Sequence, residues 1–417
     1  MQLKAKLTLI SQVFYPDEQS TSQLLSGLLS GLAAQGHACE ALSGFPAMGT
    51  GPAAVQRTET WNGIRIRRGG LRVDAKGSLP ARALGYGSYC LWLAWRLVFF
   101  VPADARVLVV TNPPFVPILV RACGLLRGWN YSVLLHDVYP DGLVAVGRLA
   151  ERSPLAWLWR HLNYSALAAA RRVLVLGRDM AALVADRYGV PPARLVYLPN
   201  WSPFDPAHHP RAEGTNLWRK LGLSRQFVVQ YSGNMGLWHD LECIVRAAAL
   251  LQDRPDIAFV LIGQGMRRPA AEQLGKELGL RNLFWLPYQE KAVLDDTLAC
   301  CHVALISQRA GLEGVAVPCK LYGILASGRA VLAQVPADSE VAQVVGEEDC
   351  GRVVAPSDAA ALARAIVDLA AQREETERMG RRAHEAYLAK YTLAKAVTVY
   401  RSVWVTAGVT HAPETLV

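Results

Sequence analysis

The sequence predicts an α/β protein made of two doubly wound, Rossmann-like domains that face each other across a cleft. The chain has 417 residues, which is long for one core and suits two domains. Short runs that are apolar throughout alternate with helical segments, which is typical of parallel strands covered by helices on both faces. This alternation stops at 199–213, a segment rich in Pro, Asp and His, and then begins again. We therefore expect a first domain over 1–200, a linker over 201–224 and a second domain over 225–390.

The first domain opens with an apolar run that reads as a strand rather than a secretory signal. Lys4 and Lys6 precede or begin it, but the run is short, contains Gln12 and has no small-residue cleavage site after it. The helix that follows ends at Gly36, the residue expected just after a helix C-terminus. The strands or hairpins predicted in this domain are 6–14, 38–42, 61–68, 106–111, 131–136, 172–176 and 195–198. The helices predicted between them are 22–35, 82–100, 115–126, 154–169 and 179–188.

The second domain repeats the same alternation and ends in helices. The strands predicted are 227–231, 257–262, 283–286, 303–306 and 330–334. The helices predicted are 240–251, 268–278, 292–299 and 320–326, followed by mainly helical segments at 358–371 and 374–404. In such sheets, ligands bind beyond the carboxyl ends of the strands, so we expect the site in the cleft between the domains.

Composition narrows the class of partner. The chain is 52% hydrophobic and 19% charged, which predicts an ordered globular protein with loose ends only around 411–417. The net charge of +9 is spread thinly and forms no Lys/Arg block, which argues against nucleic acid. It leaves open a generally basic surface or attraction to anionic lipid and phosphorylated substrates. Eight cysteines without metal spacing indicate reduced thiols and a cytoplasmic location.

The segment 88–101, "SYCLWLAWRLVFFV", is the best membrane candidate. It is too short to cross a bilayer and contains Arg96. Trp92, Trp95, Phe99 and Phe100 are aromatic side chains of the kind found at a lipid interface, so a peripheral membrane surface is one interpretation. An ordinary amphipathic core helix is the other.

Polar clusters follow two strands of the first domain. Glu18, Ser20 and Thr21 stand where the first strand gives way to a helix, so backbone N–H groups there can point at an anion. Ser20 or Thr21 can equally be the helix N-cap. His136 and Asp137 end a buried strand, where a histidine beside a carboxylate suits substrate contact or proton transfer. The alternative is that both merely satisfy loop backbone.

Glycines and charged side chains follow the strands of the second domain. "YSGNMG" and "IGQGMRR" combine glycines, which allow close backbone approach, with arginines suited to phosphate. Glu313 follows in a glycine-flanked loop, Lys320 stands at a helix start, and Glu340 opens a later helix. The residues that could bind a phosphorylated ligand are Gly233, Asn234, Gly236, Gly265, Arg267, Glu313, Lys320 and Glu340.

Several chemistries lack their motifs. There is no Asp-x-Asp pair, and the histidines do not cluster with carboxylates at metal spacing; His208 and His209 lie in the predicted linker. No P-loop, no Gly-x-Ser-x-Gly elbow and no dinucleotide fingerprint with its downstream acid occurs. We therefore expect a site without metal or resident cofactor and disfavour a dinucleotide oxidoreductase.

The order of these strand-end loops resembles that of a known family. The segments that carry the resemblance are "SQVFYPDEQSTSQLLSGLLSGLAAQGH", "HDVYPDGLVAVGRL", "VLGRDMAALV", "LPNWSP", "VVQYSGNMGLWHDLECIV", "FVLIGQGMRR", "VPCKLYGILASGRAVLA" and "CGRVVAPSDAAALARAI". Together they resemble GT-B-fold retaining glycosyltransferases of family 4. The branch they resemble is the bacterial one that builds capsule, exopolysaccharide or O-antigen, represented by the colanic-acid and WbuB-like enzymes. The resemblance covers nearly the whole chain.

The resemblance implies a hexosyl- or N-acetylhexosaminyl-transferase on the inner face of the plasma membrane. The second domain would bind a nucleotide-diphosphate sugar, expected to be UDP-linked. The first would bind a lipid-linked or growing glycan, and a C-terminal helix over 392–405 would pack back on it. The anomeric configuration would be retained, with the departing diphosphate helping to deprotonate the acceptor hydroxyl.

The resemblance also assigns roles to single residues, with two departures from the family pattern. His136 and Asp137 match the acceptor-side active-site motif. Glu313 matches the first of the family's paired glutamates, whereas Tyr322 or Gly323 holds the position of the second, so that Glu340 is a candidate for part of its role. The basic residue that follows the first glycine loop in the family is also absent, which directs the diphosphate toward Arg267 and Lys320.

Two other functions remain open on this architecture. One is a non-catalytic family member that binds a nucleotide sugar and serves as a partner subunit, which the missing second glutamate favours. The other is a non-hydrolysing UDP-sugar epimerase, which calls for more acid and base residues than the strand ends supply.

Overall fold

The protein divides into two compact α/β units. The computed structural model describes residues 6–46, 55–72, 78–203 and 212–405. One unit comprises the described residues within Met1–Pro203, Gly314–Ala316 and Leu393–Val417, and the other those within Phe204–Glu313 and Val317–Thr392. The predicted loose end at 411–417 lies outside the described residues, as do 204–211 of the predicted linker.

The first unit is built on an eight-stranded sheet in the order β3-β4-β2-β1-β5-β6-β7-β8. All neighbours pair in parallel except β3 and β4, which are antiparallel. The strands are β1 (Leu7–Ile10), β2 (Cys39–Gly44), β3 (Thr58–Trp61), β4 (Ile64–Gly69), β5 (Arg106–Val110), β6 (Tyr131–Leu135), β7 (Val173–Val175) and β8 (Leu195–Tyr197). In β1, β2, β6 and β7 every residue is buried, because helices cover both faces of the sheet.

Six helices connect these strands. They are α1 (Ser20–Ala34), α2 (Leu79–Phe100), α3 (Val116–Arg127), α4 (Asp141–Ala145), α5 (Pro154–Ala168) and α6 (Arg178–Tyr188). Pro117 and Pro154 stand in the first turns of α3 and α5, where a missing N–H leaves no bond unmade. Gly128 and Gly189 end α3 and α6 in the left-handed conformation that glycine adopts without strain.

The second unit holds a six-stranded, fully parallel sheet in the order β11-β10-β9-β12-β13-β14. The strands are β9 (Phe227–Ser232), β10 (Ile257–Ile262), β11 (Leu283–Leu286), β12 (Val303–Ser307), β13 (Ala330–Gln334) and β14 (Gly351–Val354). The helices are α7 (Asn216–Lys220), α8 (Leu241–Leu250), α9 (Arg268–Glu277), α10 (Leu294–Ala299), α11 (Lys320–Ala326), α12 (Glu340–Glu347), α13 (Ala359–Ala371) and α14 (Arg373–Lys390).

Alternate residues of the central strands fill two separate cores. Val228 of β9 lies in one core with Val260 of β10, whereas Val229 and Phe259 lie in the other. Because side chains alternate across a strand, these two cores are the two faces of one sheet. The prediction of two Rossmann-like α/β units is thereby confirmed.

The structure corrects the predicted linker at both of its ends. Trp201 is buried and packs edge-on against Tyr400 of α15 (Leu393–Tyr400), so the first unit extends past residue 200. Leu217 and Trp218 of α7 are buried in a core of the second unit. Apolar side chains that flank a Pro-rich segment can be buried in the core of either unit, and composition alone does not show in which one.

Candidate functional site

The second sheet has a point at which its strand order reverses. From β9 the chain steps outward to β10 and β11, and it then returns to the other side of β9 to form β12, β13 and β14. Loops that leave β9 and β12 therefore diverge to opposite sides, which opens a crevice at the carboxyl ends of these strands. The loop after β9 is "GNMG", and the loop after β12 leads into Lys320 at the start of α11.

The glycine loops after β9 and β10 are joined backbone to backbone. The Gly233 amide donates to Ile262 O at 2.9 Å, and the Met235 amide donates to Gln264 O at 2.9 Å. The Arg267 amide in turn donates to Met235 O at 3.0 Å. These bonds fix the two loops as one rigid rim beside the crevice.

Two glycines of this rim have no room for a side chain. Gly263 has a φ of 139°, and a Cβ built there would lie 1.9 Å from Gly233 O. Gly265 has a φ of 155°, and its Cβ would lie 2.3 Å from Met235 O. Gly233 also has positive φ, and its Cβ would meet Lys320 Cε at 2.6 Å. The glycines thus permit both the loop pairing and the approach of Lys320.

Lys320 reaches into the base of the first glycine loop. Its Nζ lies 2.5 Å from Tyr231 Oη, 3.0 Å from Asn234 O and 3.1 Å from His239 Nε2. Nζ also stands 4.3 Å from the centroid of the Tyr231 ring. Burial lowers the pKa of Lys320 to about 7. A lysine at this position can supply positive charge to an anion in the crevice.

His239 is a member of this cluster that the sequence-based list of donor ligands lacks. It is buried, and its Nδ1 accepts a hydrogen bond from the Gly236 amide at 3.1 Å. Burial holds the pKa of His239 well below its usual value. Its position just before Asp240, the N-cap of α8, was visible in the sequence, but its contact with Lys320 was not.

The two arginines after β10 have different tasks. Arg268 donates to Leu286 O at 2.8 Å and also to Gly263 O, so it ties the strand ends together. Arg267 occupies the N-cap position of α9 and pairs with Glu242 at 3.0 Å. It remains about one-third exposed and is the arginine available to a ligand.

The two predicted glutamates lie after other strands of the same sheet. Glu313, in the loop after β12, has a buried Oε2 that finds no hydrogen-bond donor within the described ranges. Glu340 is the first residue of α12 and is buried. Ser339 caps that helix by accepting from the Ala342 amide at 3.3 Å.

In the first unit the strand order reverses between β1 and β5, with β6 next to β5. His136 and Asp137 follow β6, and both their amides donate to Thr111 Oγ1, at 3.0 Å and 3.5 Å. Burial lowers the pKa of His136 to about 4 and raises the pKa of Asp137 to about 6. His136 Nε2 is buried and unbonded among the residues described. A neutral imidazole and a carboxylate that burial makes more basic thus follow the same strand.

The helix that follows β1 does not use the expected cap. Ser20 is its first helical residue, and the N-cap position belongs to Gln19, whose side chain makes no capping bond. Asp17 instead accepts from the Gln19 amide at 2.9 Å. Ser20 and Glu18 are exposed and Thr21 is half-buried, so the N-cap interpretation of Ser20 or Thr21 is wrong.

Asp141, which follows His136 by five residues, is a structural residue. It is buried and accepts from the Arg160 guanidinium at 2.9 Å, from Arg187 and from the Tyr188 hydroxyl. Such a network of charge-assisted bonds joins α4, α5 and α6.

The described ranges contain neither a metal-binding cluster nor a membrane-spanning helix. No group of three His, Cys, Asp or Glu side chains is placed to hold a metal ion. None of the helices there combines the length and the apolar character needed to cross a membrane.

Comparison with known proteins matches both units to domains of one kind of enzyme. Residues 22–201 match the family described as glycosyl transferase 4-like domain, and residues 216–386 match glycosyl transferases group 1. Each unit therefore matches a glycosyltransferase domain family, and the two matches together span most of the chain.

Two relatives are similar to this chain in sequence. "Probable glycosyltransferase WbjE" of Pseudomonas aeruginosa is 32% identical over 272 residues, which are 63% of this chain and 65% of that protein. The match therefore spans slightly less than two thirds of that relative. A protein of Escherichia coli (strain K12) named as a colanic acid biosynthesis glycosyl transferase, WcaI, is 25% identical over 347 residues, 79% of this chain and 83% of its own.

Solved structures share the fold. Sucrose-phosphate synthase from Thermosynechococcus elongatus has a TM-score of 0.73 at 18% identity, covering 97% of this chain and 100% of that one. WaaG, a glycosyltransferase involved in lipopolysaccharide biosynthesis, has a TM-score of 0.69 at 18% identity, covering 96% and 100%. Anabaena Alr3699/HepE in complex with UDP has a TM-score of 0.67 at 13% identity, covering 96% and 99%. These likenesses confirm the predicted GT-B fold.

Proposed function

We propose that this GT-B protein transfers a sugar from a UDP-linked donor to a lipid-linked or growing glycan during bacterial surface polysaccharide synthesis. The observation that carries the proposal is the rim of paired glycine loops with Lys320 at the reversal point of the second sheet. Support for the donor class comes from HepE, which has been solved with UDP-glucose. Support for the pathway comes from the names of WcaI and WaaG. Assignment to the WbuB-type branch, to capsule or O-antigen and to hexosyl or N-acetylhexosaminyl transfer forms part of the same proposal.

The proposed chemistry places the donor's diphosphate at the glycine loops. Lys320 and Arg267 would offset its charge, and loop amides would approach it closely because Gly233 and Gly236 have no side chains. The buried, unbonded Oε2 of Glu313 is an acceptor suited to a sugar hydroxyl. His136 and Asp137 would hold the acceptor in the first unit. The anomeric configuration would be retained and no metal would take part, since the diphosphate is met by protein cations.

Transfer can be tested directly with purified protein. It is mixed with a panel of nucleotide sugars and a membrane lipid extract, and nucleotide release, sugar transfer and the anomeric configuration of the product are followed. Turnover of a UDP-sugar with retention is the expected result. Nucleotide binding without turnover across the panel would favour the non-catalytic partner subunit, and isomerised donor without transfer would favour the epimerase.

The donor site can be tested by three matched substitutions. Lys320→Ala and Arg267→Ala should each weaken UDP binding about tenfold or more, because each removes a cation from the diphosphate. Lys276→Ala removes an exposed lysine of α9 in the same unit and should leave UDP affinity unchanged. Equal affinity in all three variants would refute the diphosphate assignment.

A membrane-facing surface is a further part of the proposal. Helix α3 packs between α2 and α5, and these three helices contain no Asp or Glu. They do contain arginines, and they expose large apolar side chains to solvent. The most exposed are Leu91 and Leu126, at 76% and 75%, followed by Phe99, Leu125 and Trp157 at 67% each. Apolar and aromatic side chains among arginines favour an anionic lipid surface.

Leu91 and Trp95, rather than Trp92, are the residues of α2 that test this surface. The ring of Trp92 lies on Gly69, whose Cβ would come within 1.8 Å of it, so Trp92 packs against the fold. Leu91 and Trp95 are exposed, and replacing both with Ser should lower partition onto anionic vesicles. Leu388→Ser, at an exposed leucine of α14, is the control. Undiminished partition of the double variant would exclude α2 as the anchor.

We also propose a cytoplasmic location at the inner face of the plasma membrane. All eight cysteines are unpaired thiols, which suits a reducing compartment. Fractionation of cells that express the full chain, with and without a high-salt wash, measures this. Recovery outside the cytoplasmic membrane and cytosol would contradict it.

A further inference from the structure

The cluster around Lys320 contains a complete set of hydrogen-bonding partners. Lys320 Nζ has three neighbours within bonding distance: Tyr231 Oη at 2.5 Å, Asn234 O at 3.0 Å and His239 Nε2 at 3.1 Å. The Tyr231 hydroxyl donates to Asn234 O at 2.6 Å. On the far side of the imidazole, the Gly236 amide donates to His239 Nδ1 at 3.1 Å. Each proton in this network can therefore be assigned.

A charged lysine does not fit these contacts. A backbone amide can only donate, so His239 Nδ1 must be the unprotonated nitrogen that accepts from Gly236. A neutral imidazole has one such nitrogen, which leaves the proton on Nε2, facing Lys320 Nζ. An ammonium group is also only a donor, so two donors would face each other at 3.1 Å. If His239 were doubly protonated, or carried its proton on Nδ1 alone, its Nδ1–H would face the Gly236 N–H. Two donors would then oppose each other on that side of the ring.

A neutral amine satisfies every atom. Its lone pair accepts from His239 Nε2–H, and its two N–H groups donate to Asn234 O and Tyr231 Oη. Tyr231 Oη accepts that bond while giving its own proton to Asn234 O, and Asn234 O has two lone pairs for its two donors.

His302, in the same unit, has the same tautomer as His239 but faces the opposite kind of partner. Its Nδ1 accepts from the Val228 amide at 3.0 Å, which again places the proton on Nε2. There Nε2 faces Glu213 Oε1 at 3.1 Å, a carboxylate that can accept. His239 has a lysine where His302 has a carboxylate, so the lysine must act as the acceptor.

The surroundings agree with an uncharged pair. Burial lowers the pKa of Lys320 to about 7 and holds that of His239 well below its usual value. Burial also raises the pKa of Tyr231, which keeps its hydroxyl proton in place. The other titratable groups that act on this cluster within the described chain are Cys319, next to Lys320, and Tyr288, after β11. Neither adds a positive charge.

We propose that His239 holds Lys320 as a neutral amine in the donor-free protein, and that binding of the donor's diphosphate takes up one proton from solvent onto Lys320 Nζ. This inference rests on the proposed function for the identity of the anion. The Nζ lone pair forms the new N–H bond, and the ammonium no longer accepts from His239. Both Lys320 and His239 Nε2–H then donate to phosphate oxygens. His239 is thus a positioning residue that sets the charge of Lys320 before the donor arrives.

The protonation state of Lys320 can be measured without any ligand. Carbon-13 labelling of lysine ε-carbons, with Lys320→Arg for assignment, follows the titration of Lys320 by NMR. Wild type should titrate near pH 7. His239→Gln should shift the midpoint up by about one unit or more, because a glutamine oxygen can accept from an ammonium. His302→Gln should leave it unchanged. A Lys320 signal that stays in the ammonium form up to about pH 9 in wild type would overturn the proposal.

Proton uptake is measured by calorimetry of UDP binding at about pH 8 in buffers of different ionisation enthalpy. The second ionisation of a phosphate lies near pH 6, so UDP itself contributes little there. Wild type should take up close to one proton per UDP, and His239→Gln at most about half of one. UDP affinity should also fall up to tenfold per pH unit above the midpoint. Binding without uptake would overturn the proposal, whereas a midpoint near pH 7 with no UDP binding would uphold the neutral lysine and refute the proposed donor.

Discussion

Replacing Gly263 with alanine tests whether the two glycine loops are as closely paired as the structure shows. A Cβ at this position would lie 1.9 Å from Gly233 O and 2.9 Å from Gly233 C, far inside any contact that proteins tolerate. The φ of 139° is also a conformation that residues with a side chain rarely adopt. The loop must therefore shift by an ångström or more.

The cost can be worked from the contacts that this shift removes. Holding a side-chain-bearing residue in such a backbone conformation costs about 1–3 kcal/mol. Separating the loops also breaks the bonds from Gly233 to Ile262 and from Met235 to Gln264, at about 1 kcal/mol each. We expect Gly263→Ala to lower the free energy of unfolding of the second unit by about 3–5 kcal/mol. UDP binding should weaken too, since the same loops form the rim of the proposed site.

Urea unfolding followed by circular dichroism measures the first effect, and calorimetry with UDP measures the second. The matched control is Gly346→Ala in α12, where an added Cβ meets nothing within 4 Å. That change should be neutral or stabilise by up to about 1 kcal/mol, because alanine favours helix. If Gly263→Ala unfolds at the same urea concentration as wild type, the close approach of the loops is refuted.

Three further predictions concern buried titratable side chains. Asp141→Asn should destabilise the first unit by about 3–5 kcal/mol, because two arginines and a tyrosine lose their carboxylate partner. Asp253→Asn, at an exposed position, is the control. Equal urea midpoints for the two variants would contradict a stabilising role of Asp141. Lys320 has a folded-state pKa of about 7 and an ordinary value of 10.5, so stability should rise by up to about 1.4 kcal/mol per pH unit between them. Lys320→Met should remove that rise, and an unchanged slope of stability against pH would oppose the neutral lysine. The folded-state pKa of His136 is about 4 against an ordinary 6.5, so wild type should lose up to about 3 kcal/mol as pH falls through this window. Asp137, with its pKa raised to about 6, acts in the opposite direction below pH 6. His136→Asn should therefore lose less stability than wild type on acidification, as measured by urea titrations. An identical loss of stability would exclude a buried neutral imidazole.

Much of the fold could be predicted because its signals are local. The run Ile257–Ile262 is apolar at every position, and a strand buried on both faces requires that pattern. Gly128 and Gly189 mark helix ends because few other residues adopt the left-handed conformation without strain. The short strand Gly351–Val354 was missed, since its polar edge residue Arg352 obscures the apolar pattern.

The candidate site could be predicted only in part. Strand-end position was enough to select Gly233, Arg267 and Lys320, because parallel strands present their carboxyl ends at one edge. Sequence distance hid the rest. His239 is 81 residues from Lys320, and Glu242 is 25 residues from Arg267, so neither partner is visible until the chain folds.

By itself, the sequence determined two mainly parallel sheets, the loops that border their strand ends and the glycines that those loops require. Periodicity and backbone conformation are properties of neighbouring residues, and they are written in the chain directly. The tertiary structure decided the charge on those loops. Whether Lys320 is an ammonium or an amine depends on which donors and acceptors meet its nitrogen. Those come from β9 and from the loop before α8, whereas Lys320 itself lies on α11.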